Sequence, residues 1–144
     1  MRKVSKQQLV AAAMKARLQA VAPYSGFQVG AALLAGSGKI YLGANVESAS
    51  FGLTCCAERV ALFKALTEGE REFEAIAVVA PMSDVTPCGA CRQLLAEYAR
   101  KAALLTADSR KPGKICKFEV NKLLPAAFRL LPRGKQKYGK GDLF

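Results

Sequence analysis

The chain has 144 residues, of which 51% are apolar, and this size and composition fit one folded domain rather than a disordered chain. Lysine and arginine outnumber aspartate and glutamate by 22 to 11, and ten of the basic residues but only two of the acidic ones lie between residues 110 and 144. The chain contains no histidine, so any acid–base chemistry has to use a carboxylate, lysine, tyrosine or cysteine side chain.

The pattern of apolar residues predicts alternating helices and strands. Ser5-x-x-Gln8 has the form of a capping box, and apolar residues follow it at helical spacing until Pro23 ends the first helix. Two short apolar runs, 29–35 and 39–45, flank a Gly-Ser-Gly turn and form a predicted β-hairpin. Further along the chain we expect a helix over 56–68, a strand over 75–80, a helix over 88–101, and strands over 102–106 and 114–120.

The order α-β-β-α-β-α-β-β argues for one sheet covered by helices, an α/β sandwich. We expect a single domain over residues 1–128 and a basic C-terminal tail over 129–144, which is rich in glycine and lysine. The N-terminus leads into a polar stretch, and no apolar run approaches the roughly 18 residues of a membrane-spanning helix. We therefore expect a cytoplasmic protein whose five cysteines are reduced or bound to metal.

Two segments place cysteines at the predicted starts of helices, Thr54-Cys55-Cys56-Ala57-Glu58-Arg59 and Pro87-Cys88-Gly89-Ala90-Cys91-Arg92-Gln93. The free amides and positive dipole of a helix start favour the thiolate, which is the form that binds zinc. Cys88 and Cys91 are about one helical turn apart, so both can hold one ion, and Cys56 supplies a third sulfur. A catalytic zinc site keeps one position free for water, so this ligand set predicts one catalytic Zn²⁺ per chain.

Glu58 follows Cys56 at the spacing found in zinc-dependent nucleobase deaminases that carry three cysteine ligands. The pattern predicts that Glu58 takes a proton from zinc-bound water, that hydroxide attacks C4 of a pyrimidine, and that Glu58 then protonates N3 and the departing ammonia. Residues two apart on a helix point to opposite sides, so the metal has to lie off the helix end. Arg59 and Arg92 each follow a motif closely, and either could donate to a ligand sulfur and return positive charge to the site.

Other interpretations of the cysteines stay open at this point. Cys88-x-x-Cys91 alone could be a redox pair. Cys55 or Cys116 could be a fourth ligand that closes a structural zinc site. Cys55 would have to displace its neighbour Cys56, and Cys116 lies on a predicted strand beyond the third helix, so we interpret both as small apolar residues.

Several segments together resemble, in order, the small homotetrameric cytidine deaminases: Ala22-Pro23-Tyr24-Ser25-Gly26-Phe27-Gln28-Val29-Gly30-Ala31-Ala32-Leu33, Gly43-Ala44-Asn45-Val46-Glu47-Ser48-Ala49-Ser50, the two cysteine motifs, and Leu123-Leu124-Pro125-Ala126-Ala127-Phe128. The resemblance covers about residues 5–128. It implies a three-layer αβα sandwich with a five-stranded mixed sheet, and a homotetramer with shared active sites. It also implies hydrolytic deamination of cytidine and 2′-deoxycytidine in pyrimidine salvage.

The same resemblance implies roles in binding a nucleoside. Asn45 and Glu47 would hydrogen-bond the ribose 3′-hydroxyl, Phe27 would pack against base and sugar, and the backbone of Ala57 would contact the amide edge of the base. Phe128 would stack on a base bound in a neighbouring subunit. Without the resemblance, Asn45 could simply end a strand, Glu47 could face solvent, and Phe27 could belong to the core.

The chain departs from the pattern of that family at two positions. Ser48 stands where the family usually has asparagine, and Phe51 stands where it often has tyrosine. The missing phenol removes a possible polar contact near the 5′ side of the sugar or across subunits. The departures affect substrate affinity rather than the catalytic assignment.

Three rival functions have to be weighed. Blasticidin S deaminases share the zinc motifs but typically lack an arginine after C-x-E, so Arg59 favours cytidine. Deaminases of single-stranded nucleic acid need aromatic platforms for successive bases, whereas this chain has few aromatic residues and no tryptophan. A noncatalytic zinc module that binds RNA through the basic tail would make Glu58 dispensable. A basic surface is more often only solvated, so we expect a free nucleoside as the partner rather than nucleic acid.

Overall fold

A computed structural model of the chain describes residues 3–130. The order of its elements is the predicted one: α1 (Lys6–Arg17), β1 (Gly30–Ala35), β2 (Ile40–Ala44), α2 (Ala57–Thr67), β3 (Phe73–Ala80), α3 (Gly89–Tyr98), β4 (Ala103–Asp108) and β5 (Lys111–Glu119). Short 3₁₀ turns follow β2 at Phe51–Leu53 and β5 at Val120–Lys122. Of the predicted tail over 129–144, all residues from 131 onward lie outside the described part of the chain.

The first helix begins as predicted but ends earlier. The Ser5 hydroxyl accepts a hydrogen bond from the Gln8 amide at 3.1 Å, and the Gln8 side chain accepts one from the Ser5 amide at 2.8 Å, which completes the capping box. We predicted a helix that runs on to Pro23, but α1 ends at Arg17. Val21 instead forms a β-bridge with Val46, so this residue pairs with the segment after β2 and does not continue the helix.

The five strands form one mixed sheet in the order β2-β1-β3-β4-β5. The hairpin β1–β2 is antiparallel, β1 also pairs antiparallel with β3, β3 pairs parallel with β4, and β4 pairs antiparallel with β5. A parallel pair needs a crossover connection, which the segment containing α3 provides between β3 and β4. The loop that enters α3 therefore starts at the carboxyl end of β3, where the second cysteine motif lies.

The helices cover both faces of this sheet, and each face has its own apolar core. On one face Leu9, Val10 and Ala13 of α1 pack against strand residues such as Ala32 and Val79. On the other face, buried residues of α2 and α3 pack against the strand residues that point to that side of the sheet. This core includes Ala61, Leu62 and Leu95 of the helices and Ala31, Leu33, Ile76, Val78 and Leu104 of the strands. The predicted αβα sandwich with a five-stranded mixed sheet is confirmed.

None of the helices within residues 3–130 has both the length and the apolar character that crossing a membrane requires.

Candidate zinc active site

The two cysteine motifs open two neighbouring helices. Cys56 is the N-cap of α2 and Cys88 is the N-cap of α3, both with extended backbone, and neither sulfur hydrogen-bonds to its own helix as a cap. Cys91 follows in the first turn of α3 and is fully buried. Helix starts favour anionic groups, so this placement suits thiolate ligands. The predicted helix starts at both motifs are confirmed.

The three sulfurs lie close enough together to hold one metal ion. The Sγ atoms of Cys56, Cys88 and Cys91 all lie within 4.8 Å of one another, and those of Cys56 and Cys88 are 3.8 Å apart. Tetrahedral coordination with Zn–S bonds of about 2.3 Å requires sulfurs about 3.8 Å apart. Within residues 3–130, no fourth cysteine or carboxylate joins this group, and both Cys55 and Cys116 stay outside it. The donor set therefore fits Zn²⁺ with one coordination position left for a non-protein ligand.

Positive charge and hydrogen-bond donors surround the sulfur of Cys56. The pKa of the Cys56 thiol is lowered to about 5, and the largest cause is a hydrogen bond from the Cys91 thiol. Burial acts in the opposite direction, whereas Arg59 and Cys88 lower the pKa further. Arg59 Nη2 lies 3.5 Å from this sulfur and also donates to the Thr54 carbonyl at 3.1 Å. The guanidinium thus stabilises negative charge on a ligand and holds the loop that precedes it.

Glu58 lies in the first turn of α2 with only 4% of its surface exposed. Burial raises the pKa of its carboxyl group, and the charge of Cys56 acts in the same direction, while hydrogen bonding to Cys91 opposes both. A buried carboxyl with a raised pKa holds a proton more readily than a free glutamate and is suited to proton transfer. The side chain that the sequence singled out as the proton carrier is therefore buried beside one of the three sulfurs.

The start of α2 lies in unusually close contact with β2 at Gly43. A Cβ atom built on Gly43 would lie 2.2 Å from the Ala57 carbonyl oxygen and 2.5 Å from the Ala61 amide nitrogen. Only glycine allows this approach, which fixes the position of the turn that carries Cys56 and Glu58. Sequence reasoning gave Gly43 no role, although a glycine inside a predicted strand signals a close backbone approach.

Asn45 and Glu47 both hold the segment that follows Pro23. Asn45 is nearly buried after β2, where its side chain accepts from the Val29 amide and donates to the Phe27 carbonyl, each at 2.8 Å. Glu47 accepts from the Tyr24 and Ser25 amides at 3.0 Å and from the Ser25 hydroxyl at 2.5 Å. The hydrogen bonds from Ser25 lower the pKa of the Glu47 carboxyl. Glu47 is therefore fixed in place as a carboxylate.

Two serines of this region complete local hydrogen bonds. The Ser25 hydroxyl accepts from the Phe27 amide at 3.0 Å while it donates to Glu47, so it links two predicted substrate residues. Sequence reasoning assigned no role to Ser25. Ser48, one of the two departures, accepts from the Ser50 amide at 3.1 Å, and Phe51 is 82% exposed in the turn that follows.

Arg92 does not make the contact that we considered for it. Instead of a ligand sulfur, its guanidinium donates to the Pro87 carbonyl at 2.8 Å, the Leu123 carbonyl at 3.0 Å and the Thr86 hydroxyl at 3.1 Å. The C-terminal segment packs along α3 and brings the Leu123 carbonyl within reach, whereas the Pro87 and Thr86 oxygens belong to the loop directly before α3. Phe128 lies on that segment with 68% of its surface exposed.

A cavity of about 630 Å³ lies away from the cysteine cluster. It is enclosed by the end of α3, the start of β3 and residues 127–129. None of the three cysteines lines it. Because the chemistry belongs to the sulfurs and Glu58, this cavity is not the reaction site.

Three cysteine sulfurs at the starts of two helices, beside a buried glutamate, define a zinc-binding hydrolase with an αβα fold. The family model for the "cytidine and deoxycytidylate deaminase zinc-binding region" matches residues 3–107. The chain is 50% identical over 123 residues to a cytidine deaminase from Sporosarcina psychrophila, covering 85% of this chain and 90% of that protein. It is 50% identical over 131 residues to a cytidine deaminase from Halalkalibacterium halodurans, covering 87% and 95%.

A solved structure agrees with these relatives. The crystal structure of cytidine deaminase from Burkholderia pseudomallei matches with a TM-score of 0.82 and 44% identity, and the match covers 86% of this chain and 99% of that one. The chain therefore belongs to the cytidine deaminase family, as a zinc-binding enzyme of that activity.

Proposed function

We propose that the protein hydrolyses cytidine and 2′-deoxycytidine to uridine and 2′-deoxyuridine with release of ammonia, as a step of pyrimidine salvage in the cytoplasm. The observation that carries this proposal is the buried Glu58 carboxyl beside the three-sulfur cluster of Cys56, Cys88 and Cys91. The relatives named cytidine deaminase support the choice of a cytosine nucleoside as substrate.

Glu58 moves the protons of the reaction in this proposal. Zn²⁺ held by Cys56, Cys88 and Cys91 would make water a nucleophile near neutral pH, because it would lower the pKa of that water. The Glu58 carboxylate accepts the proton of the attacking water and passes it to N3 of the base. A carbon–oxygen bond forms at C4, Glu58 then takes the remaining proton of the new C4 hydroxyl group and gives it to the amine, and the bond from C4 to the amine nitrogen breaks with release of ammonia. The raised pKa of this buried carboxyl supports a group that alternates between both protonation states.

The side chains that recognise the nucleoside lie around the end of β2 in this proposal. Asn45 and Glu47 hydrogen-bond the ribose 3′-hydroxyl, Phe27 packs against the base and sugar, and the Ala57 backbone contacts the amide edge of the base. Asn45 and Glu47 can each form further hydrogen bonds beside those they already make, since an amide nitrogen has two hydrogens and a carboxylate has about four acceptor sites. Their existing bonds orient both groups before the substrate binds.

A homotetramer with shared active sites completes the proposal. Large apolar side chains are exposed around the site and on the C-terminal segment, among them Phe51, Leu53, Phe128 and Leu130. Exposed apolar side chains of this size favour burial against another chain. Phe128 would then stack on the base in a neighbouring subunit. We also propose residues 1–128 as the catalytic domain and 129–144 as a basic tail.

Substitution of Glu58 tests the mechanism. The Glu58→Gln variant keeps the volume of the side chain but cannot exchange protons, so we expect zinc to stay at one per chain and kcat to fall about 10²–10⁴-fold. Glu74→Gln, at an exposed position of β3, is the matched control and should retain full activity. The absorbance change as cytidine becomes uridine gives the rate. Turnover at the wild-type rate in Glu58→Gln would refute the proton transfer role.

A substrate panel tests the choice of substrate. Wild-type enzyme should deaminate cytidine and 2′-deoxycytidine, and should act at least tenfold more slowly on blasticidin S and on cytosine in single-stranded oligonucleotides. A wild-type enzyme with full zinc content and no activity on either nucleoside would refute the proposed function. Sedimentation of the purified enzyme at micromolar concentration tests the tetramer separately.

A further inference from the structure

The two residues that follow the ligand Cys91 bind the C-terminal segment to α3. Arg92 donates to the Leu123 carbonyl at 3.0 Å, and the Gln93 side-chain amide donates to the Phe128 carbonyl at 2.9 Å. The same guanidinium donates to the Pro87 carbonyl at 2.8 Å, directly before the ligand Cys88. One side chain thus connects the metal-binding loop with the segment that ends in Phe128.

The segment between these two attachment points has a conformation that needs support. Ala126 has φ 51°, which lies in the left-handed region that residues other than glycine rarely adopt. Such a conformation persists only when the surrounding structure holds it. Arg92 holds the chain three residues before Ala126, and Gln93 holds it two residues after. The hydrogen bonds therefore bracket the strained turn that directs Phe128.

We propose that Arg92 and Gln93 are positioning residues that couple the zinc-binding helix to the placement of Phe128, and through Phe128 set the affinity for the nucleoside. This inference rests on the proposed contact between Phe128 and a bound base. Neither residue touches the reacting atoms. Both act through the backbone of the C-terminal segment, because the hydrogen bonds that they donate to this segment are accepted by its carbonyl oxygens.

Loss of this coupling should raise KM and leave kcat nearly unchanged. Loss of the bond to the Leu123 or the Phe128 carbonyl lets Phe128 leave its position, and Gln93 tests this without touching the metal-binding loop, since its side chain donates to Glu97 and to the Phe128 carbonyl. We expect Gln93→Met to raise the KM for cytidine about fivefold and Arg92→Gln to raise it about tenfold, each with kcat within threefold of wild type and zinc at one per chain. Arg92→Lys should recover part of the loss, since lysine can still donate to one of the carbonyls. Lys64→Gln is the matched control, because Lys64 also donates to a backbone carbonyl, that of Leu42 at 2.8 Å, and does not line the cavity beside Phe128.

A double-mutant cycle with Phe128→Ala provides the decisive comparison. If Arg92 and Gln93 act through Phe128, then Phe128→Ala raises KM by itself, and adding Gln93→Met or Arg92→Gln changes it by less than twofold more. KM effects that multiply in the double variants would overturn the inference and leave the proposed function intact. A wild-type KM in Phe128→Ala would refute the contact between Phe128 and the base, and the inference with it, whereas the Glu58→Gln result would stand.

A purely structural role for Arg92 predicts a different set of results. Arg92→Gln would then lose zinc or kcat, and Gln93→Met, which leaves the bond to Pro87 intact, would keep a wild-type KM. That combination would also overturn the inference. Zinc content and kcat are measured on every variant, so a folding defect in Arg92→Gln cannot hide the outcome, because Gln93→Met tests the same coupling alone.

Discussion

Replacement of Gly43 by alanine tests how the fold positions the catalytic turn. The new Cβ atom would lie 2.2 Å from the Ala57 carbonyl oxygen, whereas close carbon–oxygen contacts measure at least about 3.3 Å. The start of α2 therefore has to move away from β2 by about 1 Å. Ala57 lies between Cys56 and Glu58, so the same displacement moves a ligand and the proton carrier.

The size of the effect follows from that displacement. Overpacking of this kind costs about 1–3 kcal/mol, which corresponds to a fall in Tm of about 3–10 °C for a domain of this size. A misplacement of about 1 Å near the reacting atoms costs about 10²-fold in rate. We therefore expect Gly43→Ala to lower kcat about 100-fold, a larger loss than its stability change explains.

Thermal unfolding, zinc analysis and the cytidine assay together check this prediction. Gly113→Ala is the matched control, since a Cβ atom there meets nothing within 4 Å and Gly113 is exposed on β5. The control should have wild-type Tm and wild-type kcat. If Gly43→Ala also matched wild type in both measurements, the reasoning that contact between α2 and β2 sets the site would be wrong.

Three further substitutions test individual contacts. Cys88→Ala should lose zinc and activity while Cys116→Ala keeps one zinc per chain by elemental analysis; full zinc in Cys88→Ala would contradict the ligand set. Ser25→Ala removes a hydroxyl that orients Glu47, so steady-state kinetics should give a KM raised about three- to tenfold with kcat retained; an unchanged KM would argue against that orientation. Arg59→Gln should weaken zinc affinity about 10–100-fold in chelator competition, and Arg59→Lys less, because lysine keeps the positive charge; equal loss in both would contradict stabilisation of the Cys56 sulfur by that charge.

The sequence predicted the parts of this protein that depend on local signals. The capping box of Ser5 and Gln8 and the helix starts at Cys56 and Cys88 follow from short-range chemistry, and all three are present. The three-sulfur ligand set was predictable because C-x-E and C-x-x-C spacing is fixed by the geometry of helix starts. The order of elements also followed from their periodicity.

Contacts between segments that are distant along the chain could not be predicted from the sequence. Arg92 follows a ligand closely, which suggested a sulfur as its partner, but packing of the C-terminal segment on α3 offers it the Leu123 carbonyl instead. Ser25 has no chemical signature of its own, and Gly43 within a predicted strand indicates a close backbone approach but not which segment makes it. Their roles appear only when Glu47 and α2 come to lie against them.

X-ray absorption at the zinc edge of the purified wild-type enzyme tests the central claim most directly. The account predicts three sulfur neighbours at about 2.3 Å and one lighter atom, since Cys56, Cys88 and Cys91 leave one position for water. Four sulfur neighbours, or fewer than three, would contradict it.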